Sequence, residues 1–169
     1  MNKVTLSIAT TIDGYIARDN GSVDFLDEFN NMGTDFGMND FIKSVDVIAM
    51  GRTTYDQYSS HPDFFKFYKG KQIYIFTRSE FEDTRIKIAR DPKQFVDQVD
   101  GHIWLLGGAS LIKSFYDLEL IDEYTLTIIP VILGNGVSLF DHLDGARLHL
   151  VAVEQFDGGV VNLHYSKSE

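Results

Sequence analysis

The sequence predicts an α/β fold of three layers, with a mostly parallel central sheet between helices and a C-terminal antiparallel hairpin at one edge. Two observations predict it. Short apolar runs alternate with stretches whose apolar residues recur at helical spacing, the order that builds strand–helix–strand crossovers. The C-terminal segment "RLHLVAVEQFDGGVVNLHYSK" differs: two alternating runs flank Asp157-Gly158-Gly159, a hairpin signature.

The elements follow in order. Residues 3–10 read as the first strand, 36–44 as a short helix and "VDVIAMG" (45–51) as a buried strand. Thr53 to Tyr58 start a helix, and "QIYIFTR" (72–78) is another strand. In "DPKQFVDQV" (91–99), Asp91 can cap a helix, Pro92 suits its first position, and Phe95, Val96 and Val99 make its apolar face. "HIWLLGGASLIKSF" (102–115) begins as a strand through Ile103–Leu106 and ends as a helix, with Leu111, Ile112, Phe115 and Tyr116 on one face. "IDEYTLTIIP" (121–130) is a further strand. With 169 residues and no repeat or low-complexity linker, the chain reads as a single domain, 1–169.

Composition narrows the function. No cysteine is present, which excludes disulfides, thiolate metal sites and cysteine nucleophiles and suits a reducing cytoplasm. The net charge of -10 makes general binding to nucleic acid or to an anionic membrane a poor expectation, so a phosphorylated ligand needs a local site. No apolar run is long enough to span a bilayer. At the start, Thr5, Ser7, Thr10, Thr11 and Asp13 interrupt the apolar pattern, as a first strand would and a secretory leader would not. The five histidines, His61, His102, His142, His149 and His164, show no metal-ligand spacing, and no metal is expected.

Chemistry gathers where strands end. Gly107-Gly108 separates a strand from a helix, where unpaired N–H groups can receive a phosphate and missing side chains let it approach. "MGRTTYD" (50–56) puts Gly51, Arg52, Thr53 and Thr54 at a second strand end, and "FTRS" (76–79) puts Thr77, Arg78 and Ser79 at a third. Alone, the first two equally suit a tight turn or a helix cap, and the third reads more readily as a solvated turn. Ligands on open α/β sheets bind beyond the carboxyl ends of the strands, so three such sites together point to one phosphate-bearing ligand.

"AMGRTTYD", "IYIFTRS" and "WLLGGASLI", in that order, resemble the dihydrofolate-reductase-like superfamily. "LIDEYTLTIIPVILGNGVSLF" (120–140), with Pro130 and Gly134, resembles more narrowly the reductase domain of bacterial riboflavin biosynthesis, the RibD C-terminal type. "TIDGYIARDNGSVDF" (11–25) resembles stand-alone proteins of that type. The resemblance covers essentially the whole chain. It implies a dihydrofolate-reductase-like fold, NADPH as cofactor, a cis Gly107–Gly108 bond and a homodimer. Residues 51–54 and 77–79 would hold the adenine-ribose phosphate end, and Gly107, Gly108, Ala109, Ser110 and Leu111 the diphosphate. Ala9, Ile16 and the loop around Gly21 would flank the nicotinamide.

On the substrate side Asp13, Asp24, Phe25 and Asp35 are the candidates near the strand ends, Asp35 or Asp13 as the acid and Asp24 and Phe25 as contacts, although each aspartate reads more readily as a cap or a solvated loop residue. Counting back from Met50 places the folate enzymes' buried carboxylate at Asp35; aligning on the helix through Phe41 places it at Gly37. Three departures fall here. Leu106 stands where the riboflavin domain carries Glu, and Phe25 where it carries Trp. No arginine follows the helix of the 50s for a substrate phosphate, leaving Lys66 or Lys69 to stand in. The expected activity is an NADPH-dependent reductase of a small-molecule substrate, closest to 5-amino-6-(5-phosphoribosylamino)uracil reductase. Its rivals are a folate or pterin reductase and a non-catalytic nucleotide-binding protein.

Overall fold

The computed structural model describes residues 2–168. In chain order these form β1 (Lys3–Thr11), β2 (Tyr15–Ala17), a 3-10 turn (Asp24–Leu26), α1 (Asp27–Asn30), α2 (Met38–Ser44), β3 (Val47–Gly51), α3 (Arg52–Tyr58), α4 (Phe64–Phe67), β4 (Gln72–Phe76) and β5 (Lys87–Ala89). Then come α5 (Pro92–Gln98), β6 (His102–Gly107), α6 (Ala109–Asp117), β7 (Glu123–Ile129), β8 (Val137–Ser138), β9 (Leu148–Gln155) and β10 (Val161–Lys167).

One sheet of eight strands runs in the order β5-β4-β3-β6-β1-β7-β10-β9. From β5 to β7 every pairing is parallel. β10 lies antiparallel to both β7 and β9. The mostly parallel sheet with an antiparallel C-terminal edge is therefore as read from the pattern. β3 shows why its apolar run is unbroken: Val47, Ile48, Ala49 and Met50 are each 0% exposed, because helices cover both sheet faces. On one face Val4, Leu6, Ala49, Ile103 and Leu105 pack with Phe95, Ile112 and Phe115 from α5 and α6. On the other, Ile48, Met50, Ile73, Ile75 and Trp104 pack with Ile42, Tyr55 and Phe64 from α2, α3 and α4.

Local chemistry sets the ends. The Asp91 carboxylate accepts the Gln94 amide at 2.7 Å, with Pro92 opening α5, as that stretch predicts. The helix expected from 36 starts at Met38, because Phe36 (φ 51°) and Gly37 (φ 80°) form a left-handed turn before it. The strand expected from 45 starts at Val47, since Val45 ends α2. A two-stranded sheet of β2 and β8 is the element the pattern misses most plainly; strands of three and two residues carry no measurable period. Among the described residues no helix is long and apolar enough to cross a membrane, and no group of three metal-ligating side chains occurs.

Candidate functional site

The carboxyl ends of β3, β4, β5 and β6 open into one cleft of about 1010 Å³. It lies at the upper limit of small-molecule sites, with room for a large ligand or for two. Each strand end supplies one part of the rim. After β3 come Gly51, Arg52, Thr53 and Thr54; after β4, Thr77 and Arg78; after β5, Arg90 and Pro92; after β6, Gly108, Ala109, Ser110 and Leu111.

The glycine pair is built for close approach. The Gly107–Gly108 bond is cis, as the resemblance implies. Gly107 has φ of 128°, a conformation that side-chain-bearing residues rarely adopt. Gly108 has an ordinary φ of -78°, and a Cβ there would meet nothing nearer than Thr54 Oγ1 at 3.4 Å. The fold therefore does not itself demand a glycine at 108; a methyl group would stand on the cleft surface. Behind it α6 begins, and its first N–H groups have no partner within the helix. A diphosphate fits this cradle of bare backbone and unpaired donors.

Three arginines line the same end, and their charges are differently engaged. The Arg52 Nε donates to both Asp56 carboxylate oxygens, at 2.7 and 2.8 Å, and its guanidinium lies 3.9 Å from the Phe81 ring centroid. Arg90 pairs with Glu80. Arg78 pairs with no carboxylate among the described residues, although it lines the cleft. Arg78 is thus the cation with its whole hydrogen-bonding fork available. These residues fit the adenine-ribose phosphate and diphosphate of NADPH.

The other half of the cleft lies against α2, α3 and α4. Ser7 and Ala9 from β1 and Trp104 and Leu106 from β6 form its floor. Met38, Gln57, Tyr58, Phe67 and Tyr68 form its wall, with Ile16, Ala17, Val23, Leu26 and Asn30 across the opening. Trp104 is held in place by Nε1, which donates to the Ser7 carbonyl at 2.9 Å. Partial burial raises the Tyr68 hydroxyl above its usual pKa, so it remains a donor at neutral pH.

Thirteen of the residues expected to hold the cofactor line this cleft: Ala9, Ile16, Gly51 to Thr54, Thr77, Arg78 and Gly107 to Leu111. The fourteenth does not. Ser79 is exposed, and its amide donates to Thr77 Oγ1 at 3.1 Å, a turn that carries it off the rim. The acids and substrate contacts also need correction. Asp35 is exposed and off the cleft. It accepts the amides of Asn39, at 2.8 Å, and Gly37, which lower its pKa and make it a brace for the start of α2. Asp13 takes the Thr11 hydroxyl at 2.6 Å and the amides of Leu133 and Gly134, and these hold its pKa down at about 2. It ties the 133–134 loop to β1. Asp24 pairs with Arg18 on the surface. Phe25 does not line the cleft; its neighbours Val23 and Leu26 do. Lys66, ion-paired with Asp63 at 3.8 Å, and Lys69 are also off the cleft, while Phe67 and Tyr68 between them face it.

Arg90 escaped the sequence because β5, which delivers it, is three residues long. Phe67 and Tyr68 did carry a signal: "DFFKFYKG" has more aromatics than a solvated turn needs.

Comparison with known proteins agrees with this geometry. The RibD C-terminal domain family matches residues 65–162. YwjB of Bacillus subtilis (strain 168), itself uncharacterized, is 36% identical, over 98% of this chain and 98% of its own. A Shewanella sp. PV-4 protein named for riboflavin biosynthesis superposes with a TM-score of 0.84 at 24% identity, covering 99% of each chain. Dihydrofolate reductase from Enterococcus faecalis, solved with NADP(H), superposes with a TM-score of 0.70 at 14% identity, over 99% of this chain and 97% of its own. At those identities the two structures speak to the fold alone. The sheet is dihydrofolate-reductase-like, and the chain belongs to the RibD C-terminal domain family.

Proposed function

We propose that the protein is an NADPH-dependent reductase of a small heterocyclic substrate. The observation that carries this reading is the glycine pair at the start of α6, facing Arg78 across one cleft at the strand ends. Bound there, NADPH would supply a hydride. The chain's own residues would do the rest. Gly108, Ala109 and Ser110 would receive the diphosphate on backbone N–H groups, and Arg78, with Arg52 beside it, would hold the ribose phosphate. Ala9 and Ile16 would flank the nicotinamide and exclude water. Ser7, Trp104 and Tyr68 would position the second molecule at contact distance.

The reductase of riboflavin biosynthesis is the activity nearest this reading, with a pterin or folate reductase as the alternative. The test is to mix the protein with NADPH and pterins, folates or ribosylaminopyrimidines and follow the absorbance of the reduced cofactor. Turnover of one class supports the reading. One observation favours a second reading, a binding protein without turnover: among the described residues no carboxylate or imidazole lines the cleft. Tight NADPH binding with no consumption by any class would select it. The homodimer belongs to this proposal too. Val151 and Val153 of edge strand β9, 63% and 55% exposed, offer it a surface, and Val153→Glu should shift the sedimentation coefficient to a monomer's.

A further inference from the structure

Resting on the reductase reading but narrowing it, we infer that the substrate is an uncharged planar ring compound bearing no phosphate or carboxylate, which sets aside the phosphoribosyl and folate substrates named above and keeps pterin-like rings. The juxtaposition that carries it is a stack of aromatic and apolar side chains, from five separate elements, with no cation among them. Trp104 from β6, Tyr58 from α3, Met38 from α2, Leu26 from the 3-10 turn, and Phe67 and Tyr68 at the end of α4 enclose this half of the cleft. Tyr68 meets Trp104 edge to face, with ring centroids 5.8 Å apart, so the rings hold one another in place. Phe67 is 50% exposed and Tyr58 38%, and both line the cleft. An apolar face left open on an otherwise well-packed domain suits a ring that would cover it.

Charge decides the rest. Every arginine lining the cleft follows β3, β4 or β5, at the cofactor end. The two lysines of α4 and its flank, Lys66 and Lys69, are exposed outside the cleft. A phosphate or carboxylate among these rings would lose water and gain no counter-charge. The chain's net charge of -10 opposes it further. The polar groups that remain, Ser7, Asn30, Gln57 and the two tyrosine hydroxyls, suit the carbonyls and ring nitrogens of a neutral molecule. Two electrons and one proton would pass as hydride from the reduced nicotinamide to an electron-poor ring carbon or nitrogen. A proton from water would complete the dihydro product, and NADP+ would be released.

The chain has a single tryptophan, and it lies in this wall, so its fluorescence reports a ring bound here. Two matched pairs of probes test charge with the ring kept: riboflavin against FMN, and menadione against 1,2-naphthoquinone-4-sulfonate. Quenching of Trp104 is titrated with and without saturating NADPH. The neutral member of each pair should bind at least about tenfold tighter. In Phe67→Arg the preference should shrink or reverse, because a cation then stands in the wall. Equal or tighter binding of the anions by the unaltered protein would overturn the inference, as would failure of both neutral rings to quench. An unchanged preference in Phe67→Arg would also overturn it, by placing the rings elsewhere. Failure of NADPH to bind in a separate calorimetric titration would sink the reductase reading instead, and the probe comparison would still decide the chemistry of the wall.

Discussion

Two cavities share the wall formed by Ser7 and Met38, and their linings have opposite character. The large cleft carries arginines at one end, aromatic rings at the other and, among the described residues, no acid. The small one, about 220 Å³, lies between α2 and the β1-β7-β10 face, and Lys3, Glu123, His102, His164 and Glu154 line it. Both lie on one face of the sheet, since Thr5 pairs with Trp104, Ser7 with Thr125 and Asn162 with Thr127, and the boundary runs across that face between strands. Thr5, Ser7, Thr125, Thr127, Asn162 and His164 face the small cavity from β1, β7 and β10; Trp104 and Leu106 of β6 face the cleft. In the small cavity the polar groups already hold one another. His164 meets Glu154 at 2.8 Å, His102 meets Thr5 at 2.8 Å, Lys3 meets Glu123 at 2.8 Å, and Thr127 donates to Asn162 at 2.7 Å. In the cleft, Arg78 and the first amides of α6 have no such partners. A cluster of titratable side chains is thus the weaker guide to function here; donors left without partners are the stronger one.

The comparison breaks most sharply at Gly108. Alanine suits the φ of -78° there and meets only Thr54 Oγ1 at 3.4 Å, so stability should fall far less than affinity. Its methyl group would occupy the cradle. NADPH affinity should fall about a hundredfold or more, roughly 2.7 kcal/mol. Calorimetric titration beside a melting curve checks both halves. If affinity and melting temperature fall together, the glycine serves the fold and the cradle loses its support.

Arg78 should come next. A charge-assisted hydrogen bond contributes about 1.5–3 kcal/mol, so Arg78→Ala should weaken NADPH by about ten- to a hundredfold and NADH little. Arg52→Ala should cost less, because Asp56 already engages its Nε. Paired titrations of both variants with both cofactors rank the arginines. A larger loss in Arg52→Ala would return the phosphate to α3.

The small cavity predicts the reverse pattern. Asn162 is 3% exposed; its Oδ1 accepts from Thr127, and its Nδ2 donates to the Phe36 carbonyl at 2.9 Å. Asn162→Ala would leave buried polar atoms unpaired, at a cost of about 1–3 kcal/mol. The melting temperature should drop by about 4–8 °C for 2 kcal/mol in a domain of this size. NADPH affinity should stay within about twofold of the unaltered protein. A cofactor defect in this variant would mean that the two cavities act as one site.

The strand-end half of the cleft was legible because its signals are local. A glycine pair, a strand end or a Gly-Arg-Thr-Thr run lies within a few residues, and thirteen of fourteen expected contacts line the cleft. The substrate half was not, because it is assembled from far apart. Leu26, Met38, Tyr58, Phe67 and Trp104 meet only once the sheet has formed, and no spacing announces that meeting. Aspartates misled for a physical reason. Asp13, Asp24 and Asp35 are candidates because a reductase needs an acid, beside a plainer reading as caps or loop residues. Yet a short carboxylate beside a glycine or a helix start satisfies free backbone amides at least as well, and Asp13 and Asp35 do that here.

Asp13 allows that distinction to be tested by pH. Its carboxylate holds the 133–134 loop through two backbone amides and takes the Thr11 hydroxyl, and these bonds favour the charged form. The folded pKa of about 2 lies below the ordinary value of 3.8, so the unfolded chain takes up the proton first as pH falls. The stabilisation is therefore complete above about pH 4 and disappears as pH falls through about 2. Asp13→Asn should lower the melting temperature by a small amount that is constant from pH 7 to about pH 5, then shrinks and vanishes near pH 2. The side chain is exposed, so this is the smallest effect of the four, and it should persist in high salt because hydrogen bonds rather than distant charges produce it. Differential scanning fluorimetry of both proteins across that range measures it. NADPH affinity at pH 7 should be the same in both. If Asp13→Asn instead abolished turnover while leaving the melting curves superimposed, Asp13 would be an acid after all, reached by a movement of the 133–134 loop.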